Sequence, residues 1–439
     1  MITAKAFAGK HYAVYGLARS GLATVAALLA SGARVTAWDG KEEARTALPE
    51  GAQLVDLDAV DLAQFDSLVV TPGLPLNRHP IAARARAAGV EIIGDIELFA
   101  RARPELPPHK VVGITGTNGK STTTALVHHI LQTAGVPSLM CGNIGLPILS
   151  QDPLPEGGVY VLELSSYQID LTQSLDCDVA VLLNITPDHL DRYDGFAAYA
   201  ASKARLFEMQ TKAKLFAKRS SKRCAVVSIN DEQCQKIAAK LFGSMRFGQP
   251  VPISVESIAA NQSEWGALQG PHNLQNAAAA FEVANELDVN RRLIFDALRT
   301  YPGLPHRMER IREKDGVLYV NDSKATNATA TAPALAAFPA IRWICGGKAK
   351  ADHLDECAPF FGHVREAYTI GEASDLFARI LAPHIKVAEC GDLAHAVLRA
   401  ANDAQPGETV LLSPACASFD QFSDFEARGD AFRTLVGAL

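Results

Sequence analysis

The strongest chemical signal in this sequence is a glycine-rich turn between an apolar strand and a helix. Val111–Thr115 predicts a buried strand, and the turn that follows reads Gly116-Thr-Asn-Gly-Lys-Ser121. Backbone N–H groups of such a turn can surround phosphate oxygens, while Lys120 neutralises them and the Ser121 hydroxyl binds Mg²⁺. Ile114 stands where the strict G-x-x-x-x-G-K-[ST] pattern has its first glycine. The pattern predicts a nucleotide-phosphate site, against the alternative of a glycine turn without a ligand.

Two further apolar runs end close to side chains that could serve the same site. Glu163 lies near the end of Val159–Leu164, and His189 follows Val179–Asn184. In open α/β sheets, ligands bind at the carboxyl ends of the strands, so Glu163 could hold Mg²⁺ beside the phosphate loop. The alternatives are a solvated turn acid and a surface or core histidine. Lys203, taken alone, is typical of a helix-surface lysine.

Two asparagines near the start of a later helical segment form a second candidate pair. Asn273 and Asn276 are three residues apart and therefore share one helix face. Their amides could bind a base or a ribose; the alternative is that Asn273 caps the helix.

A second glycine turn lies near the amino terminus. The strand Tyr12–Tyr15 runs into Gly16-Leu-Ala-Arg-Ser-Gly21, and Asp39 follows a second strand, Arg34–Ala37. This order resembles the start of a Rossmann-like domain, where a phosphate faces the helix and an acid meets a ribose. The G-x-G-x-x-G pattern is absent, so a plain strand–turn–helix stays an alternative. A dehydrogenase would depend on this turn alone.

Strands alternate with helices along the chain, which predicts an α/β fold with parallel sheets covered on both faces. Proline-rich stretches at Arg101–His109 and Tyr301–Pro305 mark two boundaries, and a new strand is expected at Gly316–Asn321. The predicted domains are residues 1–104, 105–302 and 303–439.

Composition excludes several classes of protein. The 439 residues carry a formal net charge of −6, whereas a nucleic-acid binder needs a basic surplus. No run approaches the ~18 apolar residues of a membrane span, and no secretory signal is recognised. The 8 cysteines are dispersed without a C-x-x-C pair, which favours buried thiols in a reducing cytoplasm.

Taken in order, these residues resemble the Mur ligase family of ATP-dependent, amide-forming enzymes. The resemblance covers nearly the whole chain. The matching blocks are Gly116–Ser121, Glu163, Asp188-His189, Lys203, His272-Asn273-Leu-Gln-Asn276, Pro305-His306-Arg307, Asn321–Asn327 and Gly346-Gly-Lys-Ala-Lys350. The tail Ser413–Gly429 resembles the signature of the family members that add glutamate to UDP-N-acetylmuramoyl-L-alanine. Neither D-N-P-R, typical of diaminopimelate- or lysine-adding members, nor H-H-P-T-E, typical of alanine-adding members, is present.

The resemblance implies a Rossmann-like first domain that binds a UDP-sugar, a central ATP-binding P-loop domain and a Rossmann-like third domain that binds an amino acid. The implied ATP-binding residues are Gly116, Thr117, Asn118, Gly119, Lys120, Ser121, Thr122, Asn273, Asn276, Arg307 and Asp322. Those implied for the UDP-sugar are Arg19, Ser20, Asp39, Thr71, Pro72, Gly73, Asn143 and His189. Those implied for glutamate are Thr326, Lys350 with Lys348 as the alternative, Ser418 and Phe425.

By the same resemblance, two Mg²⁺ ions are held by Ser121, Glu163, His189 and Lys203, the last as an N-carbamate. Lys120, Lys203, His189 and Lys324 are the implied catalytic residues. A lysine ammonium cannot ligate a metal, and carbamylation would convert it to an oxygen anion.

The implied reaction is the ATP-dependent joining of D-glutamate to UDP-N-acetylmuramoyl-L-alanine through an acyl phosphate, in cytoplasmic peptidoglycan precursor synthesis. The residues themselves do not distinguish D- from L-glutamate. We expect a monomer with no nucleic-acid partner and no membrane insertion. The alternatives are an amide ligase of the same superfamily for another substrate, such as a folylpolyglutamate-type enzyme, and a non-catalytic nucleotide-binding protein.

Overall fold

The computed structural model describes residues 1–212, 223–243 and 249–439, which form three β-sheets and the helices that connect their strands. The chain divides into two compact units. The first contains Met1–Ser254 and Ala278–Ala297, and the second contains Val255–Ala277 and Leu298–Leu439.

The first sheet has five strands in the order β3-β2-β1-β4-β5, all of them parallel. Its elements are β1 (His11–Tyr15), α1 (Arg19–Ala30), β2 (Arg34–Trp38), α2 (Glu42–Arg45), β3 (Gln53–Leu54), β4 (Ser67–Val70), α3 (Pro80–Ala87), β5 (Glu91–Ile93) and α4 (Asp95–Ala102). Both faces of β1 are covered, since Tyr12 and Val14 pack in one apolar cluster and Ala13 and Tyr15 in another. This explains its continuously apolar sequence.

The second sheet has six parallel strands in the order β11-β10-β9-β6-β8-β7. Its strands and the helices that follow them are β6 (His109–Thr115), α5 (Lys120–Thr133), β7 (Ser138–Gly142), β8 (Gly158–Glu163), α6 (Ser166–Asp170), β9 (Val179–Leu182), α7 (Gly195–Lys212), β10 (Cys224–Val227), α8 (Glu232–Gly243), β11 (Val251–Pro252), α9 (Pro271–Glu286) and α10 (Arg291–Thr300). The register pairs Ile114 with Glu163 and Thr115 with Leu182, so the carboxyl ends of β6, β8 and β9 share one edge.

A buried glutamate joins the first two sheets within the first unit. Glu97 of α4 is 1% exposed and accepts the backbone N–H groups of Gln173 and Ser174 at 2.7 and 2.9 Å. It also accepts Arg101 Nε at 2.9 Å. A fully bonded carboxylate of this kind fixes one element against the next.

The third sheet has six strands in the order β12-β13-β17-β14-β15-β16. Its elements are β12 (Glu309–Lys314), β13 (Val317–Asn321), α11 (Ala328–Ala336), β14 (Ile341–Gly346), β15 (Val364–Ile370), α12 (Ser374–Leu381), β16 (Val387–Gly391), α13 (Leu393–Asp403), β17 (Thr409–Leu412) and α14 (Phe425–Ala438). Its strands are parallel except for β12, which is antiparallel to β13 and absent from the sequence prediction. The predicted α/β class with parallel sheets is confirmed.

The cysteine prediction also agrees with the structure. All eight cysteines are free thiols, and seven of them are buried. Among the described residues, none of the helices combines the length and hydropathy needed to span a bilayer.

Candidate active site

The central glycine turn connects β6 to α5 and depends on backbone conformations that favour glycine. Gly116 has φ 156° and Gly119 has φ 84°, and Gly119 is the residue that precedes α5. Lys120 and Ser121 therefore occupy the first turn of a 14-residue helix. The turn and the helix N-terminus together form the backbone geometry that binds phosphate.

This turn is held from outside by the segment after β9. Asn184 pairs with Asn118 twice: its Oδ1 accepts the Asn118 N–H at 2.8 Å, and its Nδ2 donates to the Asn118 carbonyl at 3.0 Å. Thr117 Oγ1 accepts the Thr186 N–H at 3.0 Å and lies 3.2 Å from Tyr199 Oη. These contacts hold the turn against the segment after β9 and occupy two of its amides, since the Thr117 N–H also donates to the Asn184 carbonyl at 2.9 Å.

Two lysines converge on one carbonyl of the turn. Lys120 Nζ donates to the Gly116 and Thr117 carbonyls at 2.9 and 2.8 Å, and Lys203 Nζ donates to the same Gly116 oxygen at 2.9 Å. Lys203 is 1% exposed, so its interpretation as a helix-surface lysine is wrong. Burial and the neighbouring Lys120 charge lower the pKa of Lys203 to about 7. The amine is therefore partly neutral near neutral pH.

Glu163 ends β8 at the same edge of the sheet. Its carboxylate is 2% exposed, and Oε1 accepts Asn143 Nδ2 at 2.9 Å. Within the described part of the chain, no hydrogen-bond partner reaches Oε2. The Asn143 N–H also bonds to the Glu163 carbonyl at 2.9 Å. A buried carboxylate oxygen without a protein partner is costly, and a bound cation would satisfy it.

His189 follows β9 in a left-handed conformation with φ 53°. Its ring is half exposed and lies 5.1 Å, centroid to centroid, from Tyr167. Partial burial lowers the pKa of His189; Asp188 opposes this, while Lys120 and Lys203 lower it further. The His189 ring also lies 6.4 Å, centroid to centroid, from Tyr199, whose hydroxyl lies 3.2 Å from Thr117 Oγ1 of the glycine turn.

The donor set fits Mg²⁺ in part. Ser121 and Glu163 offer the hard oxygens that Mg²⁺ prefers, and none of the described residues bonds to Glu163 Oε2. The described residues contain no group of three His, Cys, Asp or Glu side chains that could hold a metal. Imidazole is a weaker Mg²⁺ ligand than oxygen, so His189 is the member whose chemistry fits least.

The amino-terminal glycine turn is built differently. Gly16 has φ 101°, and a Cβ there would collide with Thr71. A Cβ at Gly21 would meet the Gly16 carbonyl, so α1 packs directly on the turn. Asp39 Oδ2 accepts the Leu17 N–H at 2.7 Å, which occupies one amide of the turn with a protein acid.

The other residues implied for the UDP-sugar gather around this turn, apart from Asn143 and His189, which lie in the segments after β7 and β9 of the second sheet. Arg19 and Ser20 open α1, and Thr71-Pro72-Gly73 follows β4, the strand paired with β1. The Thr71 N–H donates to the Tyr15 carbonyl at 3.1 Å. Arg192, from the segment after His189, donates to the Leu74 carbonyl at 2.8 Å. The Arg192–Leu74 bond therefore connects the two sheets. It lies next in the chain to Gly73 on one side and close in the chain to His189 on the other.

In the second unit, the residues implied for ATP form two groups. Asn276 Nδ2 donates to Asn273 Oδ1 at 3.3 Å, and both amides are buried near the start of α9. Asp322, also buried, accepts Ser413 Oγ at 2.8 Å and the Met308 N–H at 3.2 Å. Burial raises the pKa of Asp322 to about 7, against the hydrogen bonds and the nearby Arg307 charge.

The residues implied for glutamate come from three loops of the second unit and from Phe425, the first residue of α14. Lys324 Nζ lies 3.6 Å from the centre of the Phe425 ring, a cation–π contact. Lys350 Nζ donates to Thr326 Oγ1 at 3.0 Å, whereas the Lys348 backbone pairs with Ala417. The Ser418 side chain is 2% exposed. The Lys350–Thr326 contact brings two of the predicted residues together.

Two residues that make several hydrogen bonds at these sites are absent from the predicted site. The sequence predicts Asn184 as the last residue of a strand, but β9 ends at Leu182 and the Asn184 side-chain amide holds the glycine turn. Arg428 is 1% exposed and bonds to the loops on either side of the glutamate residues. The position of Arg428 within a specific tail motif is a signal that could have identified it. No signal in the sequence points to Asn184.

Three family models match the sequence. A Mur ligase MurD-like N-terminal domain matches residues 10–94, a Mur ligase middle domain matches residues 114–284, and a Mur ligase glutamate ligase domain matches residues 306–416. The matches follow the three sheets in order.

Curated relatives match over the whole chain. A protein of Novosphingobium aromaticivorans is 61% identical over 100% of this chain and 97% of its own length, and one of Sphingopyxis alaskensis is 57% identical over 100% of both. Each is named UDP-N-acetylmuramoylalanine–D-glutamate ligase.

Solved structures show the same fold at low identity. The UDP-N-acetylmuramate-alanine ligase MurC of Thermotoga maritima has a TM-score of 0.58 at 16% identity, with 98% of this chain and 99% of that chain covered. MurF of Acinetobacter baumannii has a TM-score of 0.56 at 18% identity, with 98% and 90% covered.

Proposed function

Because this chain belongs to the Mur ligase family, with its three-domain architecture, we propose that it joins D-glutamate to UDP-N-acetylmuramoyl-L-alanine with ATP, releasing ADP and phosphate. The observation that carries the proposal is the pair of lysines on the Gly116 carbonyl, beside the buried Glu163 carboxylate. The name shared by the full-length relatives indicates the substrates. The boundaries 1–104, 105–302 and 303–439 are part of the proposal.

The chemistry explains why cations gather at the turn. A carboxylate is a poor electrophile, and its charge repels the γ-phosphate of ATP. Attack by a carboxylate oxygen on the γ-phosphorus forms an acyl phosphate and releases ADP. Alignment and charge neutralisation dominate such a transfer. Lys120 and the turn amides hold the phosphates, because the ammonium and the α5 N-terminus lie at one end of the turn.

Bound Mg²⁺ supplies further charge neutralisation at the phosphates and at the substrate carboxylate. Ser121 and Glu163 are the residues proposed to hold one ion, and His189 with a carbamylated Lys203 the other. Carbamylation needs a neutral amine, and the pKa of Lys203 near 7, caused first by burial, provides one. The carbamate also removes one of the two positive charges that share the Gly116 carbonyl.

The second half-reaction joins the amine to the activated acid. The glutamate nitrogen attacks the acyl carbon, and phosphate leaves from the tetrahedral intermediate. The proposed role of Thr326, Lys350, Ser418 and Phe425 is to hold the two glutamate carboxylates and the carbon chain. Lys324, held against the Phe425 ring, offers positive charge close by. Its ammonium suits stabilisation of the negative charge that develops on the intermediate.

An assay of ADP release tests the reaction directly. The enzyme with ATP, Mg²⁺, UDP-N-acetylmuramoyl-L-alanine and D-glutamate is expected to release ADP, with much less release when L-glutamate replaces the D-enantiomer. Release with the L-enantiomer alone, or with a folate substrate alone, would favour another ligase of the superfamily. ATP binding without turnover on any of these substrates would favour a non-catalytic protein.

We also propose that the enzyme is a monomer and that it acts in the cytoplasm, where ATP and UDP-linked sugars are available. The eight free thiols suit a reducing compartment.

A further inference from the structure

The tail motif contains an arginine to which the proposed mechanism assigns no role. Arg428 lies in the second turn of α14 and is 1% exposed, which makes it one of the largest fully buried side chains. Burial lowers the pKa of Arg428 to about 10, and the nearby Asp420 opposes this. Burying a guanidinium is costly unless its N–H groups are bonded, so its partners show what the burial achieves.

Those partners belong to two different loops. On one side, Arg428 Nε donates to Ser323 Oγ and Nη2 donates to the Ser323 carbonyl, both at 2.9 Å. On the other side, Nη2 donates to the Cys416 carbonyl at 3.1 Å and Nη1 to the Ala417 carbonyl at 3.3 Å. These four hydrogen bonds all go to neutral oxygens, so the side chain serves as a crosslink between loops.

Each anchored residue lies next to a residue proposed to act on glutamate. Ser323 directly precedes Lys324, and Ala417 directly precedes Ser418. Ser323 is fully constrained, since its N–H donates to Asn321 Oδ1 at 3.2 Å and its Oγ donates to the Phe425 carbonyl at 2.8 Å. At their strand ends the two loops are joined by the Asp322 N–H bond to the Leu412 carbonyl at 2.7 Å, and farther out the Arg428 guanidinium joins Ser323 to Cys416 and Ala417.

Gly429, the next residue of the tail motif, supports the same contact between α14 and the loop that carries Lys324. A Cβ at Gly429 would collide with the His306 ring, and the Gly429 carbonyl accepts Asn321 Nδ2 at 3.1 Å. Only a glycine lets α14 approach this closely. The pair Arg428-Gly429 thus fixes the beginning of α14 against the loop that carries Lys324.

We propose that Arg428 is a positioning residue that sets the distance between the Lys324–Thr326 loop and the Ser418 loop, and thereby the length of the dicarboxylic amino acid that the enzyme accepts. The inference rests on the proposed function, because it takes glutamate as the substrate held by these loops. A lysine cannot replace Arg428, since one ammonium cannot reach both loops with the geometry of a planar fork.

Steady-state kinetics of Arg428→Lys and Ser323→Ala test the proposal, with Arg433→Lys as the matched control. Arg433 lies on the same helix, but it pairs with Glu309 at 2.7 Å and is 41% exposed. For Arg428→Lys we expect the KM for D-glutamate to rise about tenfold or more, with the KM values for ATP and the UDP-sugar within about twofold. Ser323→Ala loses only the bonds to its hydroxyl, so we expect a rise of about threefold.

Discrimination between substrates of different length gives a readout that a loss of stability alone would not change. The ratio of kcat/KM for D-glutamate to that for D-aspartate is expected to fall about fivefold in Arg428→Lys and to stay unchanged in Arg433→Lys. An unchanged KM for D-glutamate and an unchanged ratio would overturn the inference, as would equal changes in all three KM values. If Arg428→Lys does not fold, Ser323→Ala decides by the same criteria. Failure of the wild-type protein to use D-glutamate would instead refute the proposed function.

Discussion

The two glycine turns of the first unit have the same local topology and opposite electrostatics. Each joins a central parallel strand to the helix that follows, and each has a glycine with positive φ at the turn. At the central turn, two lysines approach the Gly116 carbonyl. At the amino-terminal turn, the Asp39 carboxylate binds the Leu17 N–H.

This difference shows that a strand–glycine–helix unit specifies a place for a ligand but not the ligand. The central turn combines amides with cations, which suits a polyphosphate. The amino-terminal turn has one amide already bonded to an acid, and its Arg19 is exposed. That turn suits a ligand whose polar groups include hydroxyl or N–H donors, such as the nucleoside of a UDP-sugar.

The largest effect is expected from removing the charge at the central turn. Lys120→Met should lower kcat on the order of a thousandfold, because it removes a preorganised cation from the transferring phosphate. Arg19→Met at the other turn should change the KM for the UDP-sugar by less than about tenfold. ADP release at saturating substrates gives kcat for each variant, and ADP release at varied UDP-sugar concentration gives the KM. Equal losses in the two variants would contradict the assignment of different ligands to the two turns.

A change of pH is expected to have an intermediate effect on activity, because it changes the protonation of the Lys203 amine. Its pKa of about 7 means that the neutral amine, the form that reacts with CO₂, declines about tenfold for each pH unit below 7. After removal of CO₂ under acidic conditions, activity should return at a rate that rises with pH and levels off above about pH 7, at constant dissolved CO₂.

The control for this experiment is Lys203→Arg, which keeps a positive charge but cannot form the carbamate. It should show low activity that does not respond to CO₂ at any pH. A recovery rate that is independent of pH, or full activity in the arginine variant, would rule out the carbamate.

The smallest effect is expected at the amino-terminal turn. Asp39→Asn weakens the bonds to the Leu17 and Lys41 N–H groups, which lie at 2.7 and 2.9 Å. We expect the KM for the UDP-sugar to rise about tenfold while the KM for ATP stays within about twofold. Glu43→Gln on the exposed face of α2 is the matched acid-to-amide control. A parallel rise in the KM for ATP would contradict separate ligand sites.

Periodicity and glycine placement predicted the parallel strands and the two turns. The charged strand β12 was missed because five of its six residues are ionisable, a pattern typical of surface loops. Its pairing with β13 is determined by the hairpin at Asp315-Gly316 and not by apolar content. The strand predicted at Gly316–Asn321 is present as β13.

The site residues were harder to predict from local sequence patterns than the strands and helices of the fold. Lys203 looked like a surface residue because its neighbours in α7 are mixed, and its burial depends on packing against a turn 87 residues away. The same holds for Asn184, whose partner Asn118 is 66 residues distant. Only the resemblance to a family assigned Lys203 a role in advance, because long-range contacts leave no periodicity in the sequence.

The strand β12 also bears on how the protein behaves at high concentration. It forms one outer edge of the third sheet, and its backbone groups on the far side could pair with a strand of another molecule. The strand reads Glu-Arg-Ile-Arg-Glu-Lys, so pairing with a strand of a neighbouring copy would partly dehydrate its five ionic side chains. Such an edge opposes ordered aggregation, and replacing its ionic groups with threonine or valine would be expected to promote fibrillar association.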